Sequence, residues 1–300
     1  MKVRDWLTFS LLGLVWGSSF LWIKVAVQEV GPATLVGFRL LIGLLGLAVV
    51  VAVRRPALPR DRRTLIVLGV LGITNTALPF ILISWGEQFI DSAIASILNG
   101  TVPLFTIVIA HLALHDDRIT TPRILGLVTG FLGVVVLMSR DLGAESRAGS
   151  VLGQAAVLAA ALSYAGSSVF ARRNLRQVDP VVQAFLPLIA ADSVAWITAL
   201  ASEAPLQIPR LPITWLALAW LGLLGSCLAY LLYFHLLHAV GPTRATMVTY
   251  VFPVVGVILG VVFLGELADW HLVVGALLVA LGIGIVNFKR RAGVATAAAK

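Results

Sequence analysis

DSAIASILNGTVPLFTIVIAH, residues 91–111, and GPTRATMVTYVFPVVGVILGV, residues 241–261, carry one pattern written twice. An offset of 150 residues without a gap sets Pro253 on Pro103. The series Pro242, Thr246, Thr249, Gly256, Gly260 then falls on Ser92, Ser96, Asn99, Thr106, Ala110. At an offset of 149, Gly166-Ser167-Ser168 matches Gly17-Ser18-Ser19 and Arg173 matches Lys24. At the same offset of 149, Gly275 and Gly282 match Gly126 and Gly133. The spacing of 4, 3, 4, 3 and 4 puts each series on one helix face. A chain that repeats itself at half its length is a duplication.

Composition sets the solvent. Hydrophobic residues make up 59% of the 300 residues and charged residues 12%, against about 25% charged in soluble domains. Mean hydropathy is +0.99. Lipid admits only helices or closed barrels as spanning structures, and the alternating ~10-residue segments of a barrel are absent. The apolar runs fall at 6–27, 32–53, 65–86, 92–112, 122–138, 151–171, 181–201, 213–235, 243–264 and 271–288. Their lengths suit a helix of about 20 residues crossing ~30 Å of hydrocarbon. The first run lacks a small-residue cleavage site and reads as a retained span. The prediction is an all-α polytopic membrane protein with ten transmembrane helices.

The net charge of +8 lies in short loops, which argues against nucleic acid as a partner. Lys2, Arg4, Arg54, Arg55, Arg60, Arg62, Arg63, Arg118, Arg123, Arg172, Arg173, Arg176, Arg244, Lys289, Arg290, Arg291 and Lys300 fall on one side of the ten spans. The positive-inside rule then puts both termini in the cytoplasm. Five spans per copy is an odd number, so the copies enter the membrane from opposite sides as inverted repeats. The repeats are expected at 1–140 and 151–290, with 141–150 as linker and 291–300 as a disordered tail. Cys227 is the single cysteine, so no internal disulfide forms. No metal-ligand spacing and no phosphate-cradling loop occurs, so no metal or cofactor is expected.

Pro103 and Pro253 sit within spans four and nine, where a proline breaks the hydrogen-bond ladder, and they are candidate hinges. The small residues around them suit close packing; Asn99 and Tyr250 are the members placed to touch a ligand. Trp16 and Ser19 in span one, and Tyr164 and Ser168 in span six, are candidates for lining a cavity. Asn75 in span three and Tyr230 in span eight join them, while His235 and His238 read as interfacial. Asp192 lies midway along span seven, with Trp196 one turn later. An ionisable group at that depth marks a functional site, carrying a coupling proton, meeting a cationic group on the substrate, or pairing structurally with Arg39. Trp6, Trp85, Trp215 and Trp270 mark span ends.

The ten-span duplication, LVWGSSFLWIK (residues 14–24), GFRLL (residues 37–41), the paired prolines and Leu264-Gly265-Glu266 together resemble the EamA type of the drug/metabolite transporter superfamily. After span four the usual Gly-Glu is replaced by His115-Asp116. The resemblance covers residues 5–290 and implies a secondary active transporter, not an enzyme. It implies a central cavity lined by the first four helices of each repeat, with helices five and ten outside. The expected cargo is a small metabolite such as an amino acid, exported across the cytoplasmic membrane by alternating access. A lipophilic cation, a nucleotide-like cargo, a passive channel and a membrane-embedded lipid enzyme are the alternatives. The chain is expected as a monomer or homodimer in the lipid bilayer.

Overall fold

Proline and aspartate start the helices. Pro32, Pro180 and Pro212 each occupy a first helical position, where the missing N–H costs nothing. Asp179 accepts a hydrogen bond from the Val181 N–H at 2.8 Å, and Asp61 one from the Thr64 N–H at 2.7 Å. The computed structural model describes residues 3–113, 120–140, 148–175, 178–240 and 246–287. Among them every regular element is helical. The helices are α1 (Val3–Ala26), α2 (Pro32–Arg54), α3 (Arg62–Gly86), α4 (Ser92–Ala113), α5 (Thr121–Ser139), α6 (Ala148–Asn174), α7 (Pro180–Ser202), α8 (Pro212–Val240), α9 (Thr246–Leu264) and α10 (Trp270–Asn287).

A helix occupies each predicted segment. By length and composition seven can cross a membrane, and three, in α5, α9 and α10, are shorter. Helix α6 starts at Ala148, so the linker is shorter than expected at its distal end. Residues 141–147, the tail at 291–300, His115, Asp116, Arg118, Arg176, Pro242, Arg244 and the His238 side chain lie outside the described residues.

Five helices are irregular. α1 is interrupted at Ser18, between Val3–Gly17 and Ser19–Ala26. α4 breaks at Gly100-Thr101 and resumes at Val102; α9 begins as a 3-10 turn, Thr246–Tyr250, before Val251–Leu264. Pro103 and Pro253 therefore lie in the first turn of a new helical segment. They do not interrupt a continuous ladder, because the N–H groups of a first turn have no intrahelical acceptor to lose. Helices α3 and α8 each contain a π segment, Ile73–Ala77 and Trp220–Leu228.

Packing places α1 against α8 and α9, and α6 against α3 and α4. α2 packs on α7 and α8, α7 also on α3, and α4 on α9. Helices α5 and α10 pack on each other through glycines. A Cβ on Gly133 would lie 2.8 Å from the Gly275 carbonyl oxygen, and one on Gly282 would lie 2.6 Å from the Gly126 carbonyl oxygen. The small-residue face of α4 is buried within the chain: Ser96 meets Gly256, and a Cβ on Gly100 would lie 2.8 Å from Pro253 Cγ. Outward faces remain apolar, with Val49, Leu152 and Leu277 all exposed. Trp6, Trp215 and Trp270 are exposed near helix ends.

Candidate functional site

One end of the bundle is closed by carboxylates that cap helices remote in sequence. Glu203, after α7, accepts from Ala33 N at 2.7 Å, Thr34 N at 2.9 Å and Thr34 Oγ1 at 2.7 Å at the start of α2. Glu266, after α9, accepts from Ser92 N at 2.7 Å and Ala93 N at 2.9 Å at the start of α4. Glu29, after α1, accepts from Arg210 N and from Leu211 N, the latter at 3.0 Å, just before α8. A carboxylate on bare N–H groups gains both charge-assisted hydrogen bonds and the positive end of the helix dipole. Lys24 does the converse, donating from Nζ to the carbonyls of Glu87 at 2.6 Å and Ile90 at 2.7 Å where α3 ends. Arg140 adds ion pairs to Asp91 and Asp269, each at 3.0 Å.

Beneath this capped end lies a cavity of about 250 Å³. α1 supplies Trp16, Ser19, Phe20 and Ile23, and α2 supplies Arg39. α3 supplies Asn75, Phe80 and Ile83, and α4 supplies Asn99 and Val102. Tyr164 and Ser168 come from α6, Tyr230 and Tyr233 from α8, and Val248, Thr249 and Phe252 from α9. Its floor is built around Trp16. The Trp16 indole donates to the Gly225 carbonyl at 3.0 Å, inside the α8 π segment. Its ring meets Phe252 edge-on at 5.9 Å and Tyr233 at 5.7 Å. Such π segments recur at functional sites because they shift side chains off the regular helical register. Here the α3 segment brings Asn75 to the cavity and the α8 segment supports Trp16 and Ser226.

Of the predicted lining residues, Trp16, Ser19, Asn75, Asn99, Tyr164, Ser168 and Tyr230 line one cavity. Ser19 and Ser168 also bond back to their own helices, to Val15 O at 3.3 Å and Ala165 O at 2.8 Å. Tyr250 packs on the core beside the cavity without lining it. Asp192 and Trp196 lie on α7, which contributes no lining residue. Trp196 stacks edge-on against Phe38 at 5.0 Å and covers Gly37. The candidate Asp192–Arg39 pair does not form. Asp192 faces its own helix neighbour Trp196, whereas Arg39 Nε donates to Ser226 Oγ at 3.3 Å and its guanidinium lies 3.8 Å above the Phe80 ring. Arg39 has the expected depth but other partners, because rotation about α2 points it at Phe80 of α3 and Ser226 of α8. No group of three or more metal-ligating side chains occurs among the described residues.

The EamA-like transporter family model matches residues 6–139 and 151–288. The chain belongs to the EamA-like transporter family. It is 26% identical over 92% of its length to the uncharacterized transporter YoaV of Bacillus subtilis, covering 94% of that protein. It is 30% identical to the uncharacterized inner membrane transporter YedA of Escherichia coli K12, over 85% of this chain and 81% of that one. A solved crystal structure shares the fold at a TM-score of 0.68 and 19% identity, over 96% of this chain and 97% of that one. This EamA-like protein is a multi-pass membrane protein of a transporter family. The cavity is lined by seven of its helices.

Proposed function

We propose that this protein is a secondary active transporter of the cytoplasmic membrane that exports small metabolites such as amino acids by alternating access. The observation that carries this reading is the cavity: it draws on α1–α4 and on α6, α8 and α9, and it is shut at one end by carboxylates. Each of these, Glu29, Glu203 and Glu266, reaches across from one half of the chain to the other. At about 250 Å³ the cavity lies just below the roughly 300–1,000 Å³ of pockets for drug-sized ligands, which suits a small metabolite.

The halves, 1–140 and 151–290, act as inverted five-helix repeats with both termini cytoplasmic. The packing supports this reading, because exchanging the halves maps it onto itself. Contacts of α1 with α8 and α9 exchange with those of α6 with α3 and α4, and α2–α7, α4–α9 and α5–α10 map onto themselves. The π segments at Ile73–Ala77 and Trp220–Leu228 also correspond under the repeat. In this orientation the capped end is extracellular and closed. The breaks at Gly100-Thr101 and ahead of Pro253 cross each other, and they are the flexing points between the inward-open and outward-open forms. A proton is the candidate coupling ion, and the protein works as a monomer or homodimer.

Counterflow tests this reading. Proteoliposomes preloaded with an unlabelled amino-acid mixture are expected to take up radiolabelled amino acids in exchange, with saturation. Ile83→Trp, which fills the cavity, is expected to abolish exchange in protein that still elutes as a single species. Flux that rises linearly with concentration would identify a channel, and no amino-acid exchange would remove that cargo.

A further inference from the structure

Arg39 is the one charged residue that lines the cavity among the described residues, and it is 3% exposed. Its α2 position, seven residues past Pro32, puts it roughly 10 Å along the helix at 1.5 Å per residue. A guanidinium at such depth costs several kcal/mol unless a counter-charge compensates it. What the protein supplies is partial. Nε is held by Ser226 Oγ, whose own hydroxyl donates to the Leu221 carbonyl at 3.1 Å, and the cation lies over Phe80. Gly225 leaves room beside it: a Cβ there would lie 3.6 Å from Nη2 and 3.4 Å from Ser19 Oγ. The two terminal nitrogens, with four N–H donors, have no hydrogen-bond acceptor among the described residues, and no carboxylate forms an ion pair with them. The acid in electrostatic reach of Arg39 is Glu87, which does not line the cavity. A second lining group is equally unanswered. Asn99 is 8% exposed, and its Oδ1 is buried without a hydrogen-bond partner.

We propose that Arg39 is the anchor for an anionic head group, a carboxylate, and that Asn99 accepts a hydrogen bond from an amino or hydroxyl group next to it. The cargo class is a small carboxylate with an adjacent donor and an apolar body lying among Trp16, Phe20, Phe80 and Phe252. The planar fork of a guanidinium matches a carboxylate with two parallel hydrogen bonds, which an ammonium cannot reproduce. The cavity offers a cationic cargo no carboxylate, so lipophilic cations are disfavoured. This assignment rests on the transporter reading for its physiological meaning, but its test needs only binding.

Purified full-length protein in detergent is titrated with a matched set: leucine, 2-hydroxy-4-methylpentanoate, 4-methylpentanoate and 3-methylbutylamine, followed by tryptophan fluorescence, since Trp16 lines the cavity. Leucine and the hydroxy acid are expected to bind tightest, the plain acid about tenfold more weakly, and the amine not at all. Arg39→Gln is expected to abolish binding of all three acids, and Arg39→Lys to retain it weakened by about tenfold. Asn99→Ala is expected to leave 4-methylpentanoate unchanged and to erase the preference for the substituted acids, a pattern that misfolding cannot produce. Binding of the amine as tight as leucine, failure of every acid to bind wild type, or unaltered binding by Arg39→Gln overturns the proposal. Counterflow of a cargo other than a carboxylate would leave the transporter reading standing and this one overturned.

Discussion

Glu87 stands where α3 ends, fully buried, with neither carboxyl oxygen hydrogen-bonded among the described residues. Burial pushes its carboxyl well above the usual carboxylate range. Lys24 pulls it back, Glu266 adds to the rise and Arg39 opposes it. In the unfolded chain the same group titrates near 4.3, roughly. The folded state therefore holds the extra proton between the two values. Its stabilising contribution is complete below the unfolded value and is lost as pH rises through the folded one. Thermal unfolding in detergent is expected to show a midpoint that drops between mildly acidic and mildly alkaline pH. Glu87→Gln, which mimics the protonated form, is expected to flatten that drop and raise the midpoint at neutral pH. An unchanged pH slope in the variant would exclude Glu87 as its source. As a loop acid near Asp91, Glu87 gives no sign of this in the sequence, because its burial is created by tertiary packing.

At the scale of elements, glycine decides which helices form the frame. α5 and α10 approach closely enough for Gly133 to touch the Gly275 backbone, and neither helix lines the cavity. Overpacking a tight contact costs about 1–3 kcal/mol. Gly133→Leu is therefore expected to lower the unfolding midpoint of the purified protein while leaving ligand affinity in the cavity within about twofold. A large loss of affinity in folded Gly133→Leu protein would show that this pair does more than frame the bundle. The matching glycines of α5 and α10 are visible in the sequence at the repeat offset. Their shared seam is not, since periodicity marks a face without naming its partner. The π segments escaped for a related reason: Ile73–Ala77 and Trp220–Leu228 contain ordinary apolar residues, and their wider turns depend on neighbours such as Trp16 and Ser163 that bond into them.

For the whole molecule, the place of each long helix was legible in the sequence, because about 20 apolar residues between charged breaks leave few other readings. The lining was legible in part. Asn75, Asn99, Trp16 and Tyr230 follow from depth combined with polarity. Asp192 met the same criteria, but α7 turns it away from the cavity. Depth is written in the sequence, whereas rotation is set by packing. The capped end makes the whole molecule testable as a gate. In a Cys227→Ser background, Ala93→Cys keeps the backbone N–H that Glu266 holds, and Ala93 is 1% exposed. Removing the carboxylate with Glu266→Gln is expected to cost the closed form about 1–2 kcal/mol. That would speed labelling by a membrane-impermeant thiol reagent by roughly 5–30-fold. Equal labelling rates with and without Glu266 would show that these caps do not hold the end shut. The same caps bear on the history of the chain. Glu203 and Glu266 finish helix ends in the first copy, and Glu29 serves the approach to α8 in the second. Neither copy can therefore drift alone: an acid lost from one is a defect inherited by the other, and the duplication has become irreversible.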